Sequence, residues 1–200
     1  MRHIQWLALA AWCFTGGCSS DAEPNASEAA GAPVQEVRTA PDQQPQRPVS
    51  PPAPGTPGGL PDDRTPLSEA PFTPESAQGA ANAVQTYYAL IGERQYGEAR
   101  RLWAAEGAAS GMDAAAFAKT FERFSEYRAQ IGAPGGIEGA GGSLFVEVPV
   151  VLYGRLKTGA AFSSRGTAVL RRVNNVPGAT AAQLRWHIAS IDGDPAFPKE

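Results

Sequence analysis

The stretch SLFVEVPVVLYGRL, residues 143–156, alternates without a break. Leu144, Val146, Val148, Val150 and Leu152 fall on one side, and Phe145, Glu147, Pro149, Val151 and Tyr153 on the other. Successive side chains of an extended chain point to opposite faces, so this period of two predicts a long strand with one wholly apolar face. Such a face has to be covered by a second layer. Glu147, the one acid in the middle of this strand, is expected on the opposite, wetter face, with Arg165 or His187 as cross-strand partner. Pro149 has no backbone donor and implies an edge or a bulge; a bulge would shift the register and turn Glu147 inward.

Working outward, Lys157-Thr158-Gly159 reads as the turn into a second strand, AAFSSRGTAVLRRV (160–173). After the loop NNVPGAT comes a last strand, QLRWHIASID (183–192). EYRAQIGAP and GGIEG (126–139) are weaker strand material around a Gly/Pro bend. Before them the period is helical. FTPESAQGAANAVQTYYALIG (72–92) offers Thr73 as N-cap and Pro74 at the first helical position, with a stripe of Ala77, Ala80, Ala81, Val84, Tyr88 and Ile91. QYGEARRLW (95–103) places Tyr96, Ala99, Leu102 and Trp103 on one face. Ser110 to Asp113 fits a capping box for a third helix that buries Phe117, Phe121 and Phe124. Three helices followed by a meander of strands predict an α+β domain, with the helices packed on one face of a mostly antiparallel sheet.

In this order the segments VQTYYALIGERQYGEARRLW (84–103), RGTAVLRRV (165–173) and LRWHIASIDG (184–193) resemble the nuclear transport factor 2-like superfamily, which includes ketosteroid isomerases and SnoaL-like proteins. The resemblance covers roughly residues 74–194 and implies a cone-shaped fold on a curved sheet. Enzymes of that superfamily keep a pocket between helices and sheet, with an acidic base and a tyrosine or acid that polarises a carbonyl. By that analogy Glu147 is a weak catalytic candidate, and Glu147 or Asp192 buried within reach of a tyrosine would favour an isomerase or dehydratase. Tyr87, Tyr88, Tyr96 and Tyr153 read as core or rim residues, and His187 as a solvated strand histidine.

The N-terminus carries a different signal. A basic start, the apolar run IQWLALAAWCF and a small-residue exit TGGC have the three parts of a secretory signal. The run is shorter than the roughly twenty apolar residues that cross a bilayer. Gly16 and Gly17 before Cys18 resemble the lipobox of bacterial lipoproteins, which implies a signal peptide over residues 1–17 and lipidation of Cys18. Ser19 resembles the outer-membrane sorting pattern of enterobacterial lipoproteins. The expected location is then the outer membrane, lipid-anchored and facing the periplasm. An ordinary signal peptide cut near Ser20, giving a secreted or periplasmic soluble protein, is the alternative, and a Cys13–Cys18 disulfide is a third reading.

Residues 18–71 are expected to form the lipidated cysteine and a disordered tether, and residues 72–200 the folded domain. Twelve of the eighteen prolines lie between Pro24 and Pro71, and large side chains are scarce there. From Phe72 onward thirteen Lys/Arg face twelve Asp/Glu, so no nucleic-acid footprint is visible. The chain has no GxSxG, P-loop, HExxH or CxxC, and nothing in it calls for a cofactor or a metal. The pairs Arg100-Arg101 and Arg171-Arg172 are of a type that binds anions, although paired surface arginines are commonly only solvated. The expected function is an envelope-anchored, non-catalytic binding or assembly domain on a flexible tether. Its expected partners are the membrane, an envelope protein, or a second copy meeting it through the sheet face around Phe145, Val151 and Tyr153.

Overall fold

The computed structural model describes residues 47–62 and 72–197. Elements follow in the order α1 (Ala77–Gly92), α2 (Tyr96–Arg101), a 3-10 turn (Ala108–Ser110), α3 (Ala114–Phe121), β1 (Phe124–Ile131), β2 (Glu138–Ala140), β3 (Ser143–Leu156), β4 (Ala161–Val173) and β5 (His187–Asp192). The strands form one antiparallel sheet in the order β1-β3-β4-β5, with β2 pairing β3 beyond the end of β1. The class is α+β.

The alternation of β3 is what builds the core. Val146, Val148, Val150 and Leu152 are all buried in the main apolar cluster, together with Val84, Tyr87, Tyr88 and Ile91 of α1 and Phe117 and Phe121 of α3. α1 packs across β1, β3 and β5. Its apolar stripe is the predicted one with Tyr87 added. The caps differ from expectation. Ser76, not Thr73, caps α1 by accepting from the Gly79 N–H, while Thr73 and Pro74 form the preceding turn. Asp113, not Ser110, caps α3 by accepting from the Ala116 N–H at 2.8 Å. Ser110 instead closes the 3-10 turn through the Gly107 carbonyl. In both cases the acceptor nearer the apolar periodic run wins, because only it reaches the third free amide of the helix.

Pro149 causes no bulge. The β3–β4 register is continuous from Ser143 to Arg155. The Pro149 carbonyl accepts from Gly132 on the β1 side, just past the end of β1, so the missing donor faces a gap between β1 and β2. Glu147 accordingly stays on the outer face and is exposed, opposite Val169 rather than Arg165 or His187. A close contact occurs at Gly154, whose φ is +155° and where a Cβ would lie 2.1 Å from the Glu126 carbonyl oxygen; it faces the register shift of β1. The free edge of β5 is covered by residues 102–104, through Ala104 N–H to Ile188 O and Ile188 N–H to Leu102 O, both 2.8 Å.

One part of the expected tether is folded. Residues 47–62, which lie before the expected boundary at Phe72, pack on the domain. Within residues 47–62 a tight turn is closed by Gly55 N–H to Leu60 O at 2.8 Å, and the Arg47 carbonyl accepts from Arg155 at 2.7 Å. Leu60 is only 7% exposed and lies beside Gly132 and Pro149. Val151, on the same side of β3 as Pro149, is 0% exposed although it stands outside the helix-covered core. The outer sheet face expected to be open around Val151 is therefore covered, at least in part by the chain's own proline-rich segment. Leu60→Ala in the full chain is expected to cost about 2 kcal/mol in urea unfolding, the low end for a buried leucine. Pro54→Ala, at an exposed position of the same turn, should stay within about 0.5 kcal/mol. Equal effects of the two would show that Leu60 anchors nothing.

Candidate functional site

The one buried carboxylate among the described residues is Asp194, 2% exposed. It owes its place to the turn after β5. Gly193 takes a φ of +75°, and a Cβ there would lie 2.3 Å from the Arg165 carbonyl oxygen, so the chain can fold this tightly against β4 only at glycine. Asp194 is thereby directed back under the helices. Its Oδ2 accepts from the Tyr88 hydroxyl of α1 at 3.1 Å. Its Oδ1 accepts from the Tyr127 hydroxyl of β1 and from the Ala196 backbone N–H, the latter at 2.8 Å. Arg123 donates to the neighbouring Pro195 carbonyl.

The surroundings are aromatic. Tyr87 meets Tyr88 edge-on at 4.7 Å, Tyr88 stacks with Tyr127 at 6.4 Å, and Phe121 and Phe124 pack against Tyr127 at 5.4 and 4.7 Å. Burial raises the Asp194 carboxyl above the ordinary aspartate range, and the hydrogen bonds from Tyr127, Ala196 and Tyr88 with the nearby Arg123 charge pull it back only partly. Burial also raises Tyr87, Tyr88 and Tyr127, with the Asp194 charge adding to the effect. The Tyr87 hydroxyl and the Trp103 indole nitrogen are buried neighbours without a well-formed hydrogen bond.

No protein-family model, curated protein or solved structure matches the chain.

The carboxyl offers two oxygens, and both are occupied by donors from the protein. A groove bordered by Tyr88, Tyr127, Tyr96 and Tyr153 runs past α1 and β1, but Asp194 does not line it. Sequence reasoning placed its candidates elsewhere. Glu147 is exposed and makes no ion pair among the described residues. Asp192 is exposed on β5, two residues before the buried acid. Cys18 lies outside the described residues. His187 is half-buried, with Nε2 2.9 Å from the Ala182 carbonyl. Among the described residues no three His, Cys, Asp or Glu side chains come together as a metal site. No helix among them is long and apolar enough to cross a membrane.

Asp194 and Tyr127 were missed because their partners are distant in sequence, 106 residues for Tyr88–Asp194 and 67 for Tyr127–Asp194. The only local cue was the Gly-Asp-Pro turn after the last strand. Because the folded-state pKa of Asp194 is raised, the native state holds a proton that the unfolded chain has lost. Its contribution to stability is therefore greatest below the unfolded value near pH 4 and declines as pH rises toward the folded value. Asp194→Asn keeps the shape without the charge. The stability of the natural protein relative to this variant should fall as pH is raised from about 4, followed by urea unfolding at successive pH values. Asp194→Ala, which strips two hydroxyls and an amide of their acceptor, should cost on the order of 3 kcal/mol near pH 4 and less as pH rises.

Proposed function

We propose that this chain is an envelope lipoprotein, anchored through Cys18, that presents a nuclear transport factor 2-like domain for binding rather than catalysis. The TGGC exit of the apolar N-terminal run supports the anchor. Three helices laid on an antiparallel sheet, with α1 across β1, β3 and β5, support the domain assignment. The observation that carries the non-catalytic reading is the enclosure of Asp194. A general base has to reach a substrate, and this carboxyl is 2% exposed, does not line the groove beside Tyr88 and Tyr127, and accepts from Tyr88, Tyr127 and Ala196. Beside it the core is filled by side chains such as Val84, Phe117, Val148 and Leu170, and the groove that remains between α1 and β1 is not lined by Asp194.

One observation favours the isomerase or dehydratase reading instead: a buried acid with a raised pKa sits beside two tyrosines. Asp194→Asn separates the two readings. As a binding module, the folded variant should restore a deletion strain as well as the natural protein does and retain the same envelope partners in a pull-down. A folded variant that captures the partners but restores nothing would assign the domain to catalysis. In the same strain Cys18→Ser should move the protein out of the outer-membrane fraction; unchanged fractionation would overturn the lipid anchor.

A further inference from the structure

The two arginine pairs, 71 residues apart in sequence, border one groove. Arg100-Arg101 end α2, Arg171-Arg172 lie in β4 beside β5, and all four line a groove of about 880 Å³ together with His187. The single carboxylate residue lining it is Glu106. Four arginines against one glutamate leave a net charge of +3 on the lining, in a domain that is otherwise nearly neutral. Arg101 is held on the rim by Glu98, at 2.8 and 2.9 Å. Arg100, Arg171 and Arg172 have no carboxylate partner among the described residues.

Their bonds to the protein are to neutral groups, and these orient the guanidinium planes without cancelling charge. Arg100 donates to the Met112 carbonyl at 3.0 Å, and Arg171 to the Ser143 hydroxyl at 3.0 Å. Arg172 is the most firmly built in. It is 8% exposed, reaches the Leu184 carbonyl at 3.3 Å and lies 5.6 Å from the ring of Trp186, which is itself pinned by its indole N–H to the Ser76 carbonyl. The Arg172 Nε is buried with no partner, and so is His187 Nδ1. Burying a permanent cation and leaving one of its donors unused is costly unless an anion completes the site.

We propose that this groove binds a phosphate group. A carboxylate presents two oxygens, whereas a phosphate presents three and carries up to about two charges, matching a site that offers guanidinium donors from two separate elements. The rest of the lining is mostly uncharged, with Ala104, Ala105, Ala114 and Ala182 beside Thr180 and Gln183, so the organic part attached to the phosphate is uncharged where it touches the protein. A free phosphate monoester presents this full set, and a phospholipid headgroup, a diester with two free oxygens and one charge, presents part of it. None of the groove residues borders the Tyr88–Tyr127 groove, and the proposal does not depend on the function proposed above.

The test is calorimetry on the full chain in low salt with glycerol phosphate, alongside flotation with phosphatidylglycerol vesicles and phosphatidylcholine controls. Saturable one-to-one binding of glycerol phosphate would identify a soluble ester as sufficient. Binding to phosphatidylglycerol vesicles alone would identify a headgroup at a membrane. In either case Arg172→Gln should weaken binding at least tenfold, and Arg171→Gln, at an exposed position that the fold does not need, should weaken it several-fold. Arg128→Gln, outside the groove, should leave it unchanged. Absence of binding in both arms, or binding that survives Arg171→Gln and a folded Arg172→Gln, overturns the assignment.

Discussion

The Asp194 carboxylate is the point at which three distant parts of the chain are tied together. Tyr88 brings α1, Tyr127 brings β1, and the Ala196 amide brings the segment that follows β5. Charged groups are rarely buried because desolvation costs several kcal/mol, and the raised pKa of Asp194 is the measure of that cost. The cost is tolerable because the acceptors meet three donors that would otherwise themselves be buried and unsatisfied. Aromatic contacts surround it, among them Tyr87 against Tyr88 and Phe197 against Trp103 and Phe117.

How much of this could be read beforehand depends on the range of the interactions involved. The strand of residues 143–156 was legible because the period of two is a local property, and the face it assigned to Val146, Val148, Val150 and Leu152 is the buried one. The stripe of α1 was legible for the same reason. Caps were misplaced by three residues in each case, since Thr73 and Ser76, or Ser110 and Asp113, are chemically equivalent in a string of letters. The buried acid was not legible at all. Asp192 and Asp194 look alike in sequence, and only the left-handed turn at Gly193 decides that the second faces inward.

Composition misled in the proline-rich segment for a related reason. A tract that is poor in large apolar residues cannot form a core of its own. It needs only one such residue, however, to dock on a surface that the rest of the domain has left apolar. Leu60 is that residue, and Val151 supplies a buried apolar position on the receiving face. Proline helps here, because its restricted backbone loses less entropy on docking than other residues would. The same consideration weakens the expectation that the sheet face around Phe145, Val151 and Tyr153 serves as a contact with a second copy, since part of it is already occupied within one chain.

Net charge conceals arrangement in the same way. The thirteen basic and twelve acidic residues from Phe72 onward average to nothing, and an average of that kind argues against any charged ligand. The fold redistributes them. α2 ends with Arg100 and Arg101 because cations are favoured at a helix C-terminus, a purely local reason. Arg171 and Arg172 alternate across β4, so one is exposed and the other buried. Neither local rule brings the two pairs together; pairing of residues 102–104 with β5 does, by drawing the end of α2 onto the same edge of the sheet. The guanidinium of Arg172 is buried at that edge over Trp186, and among the described residues no carboxylate pairs with it.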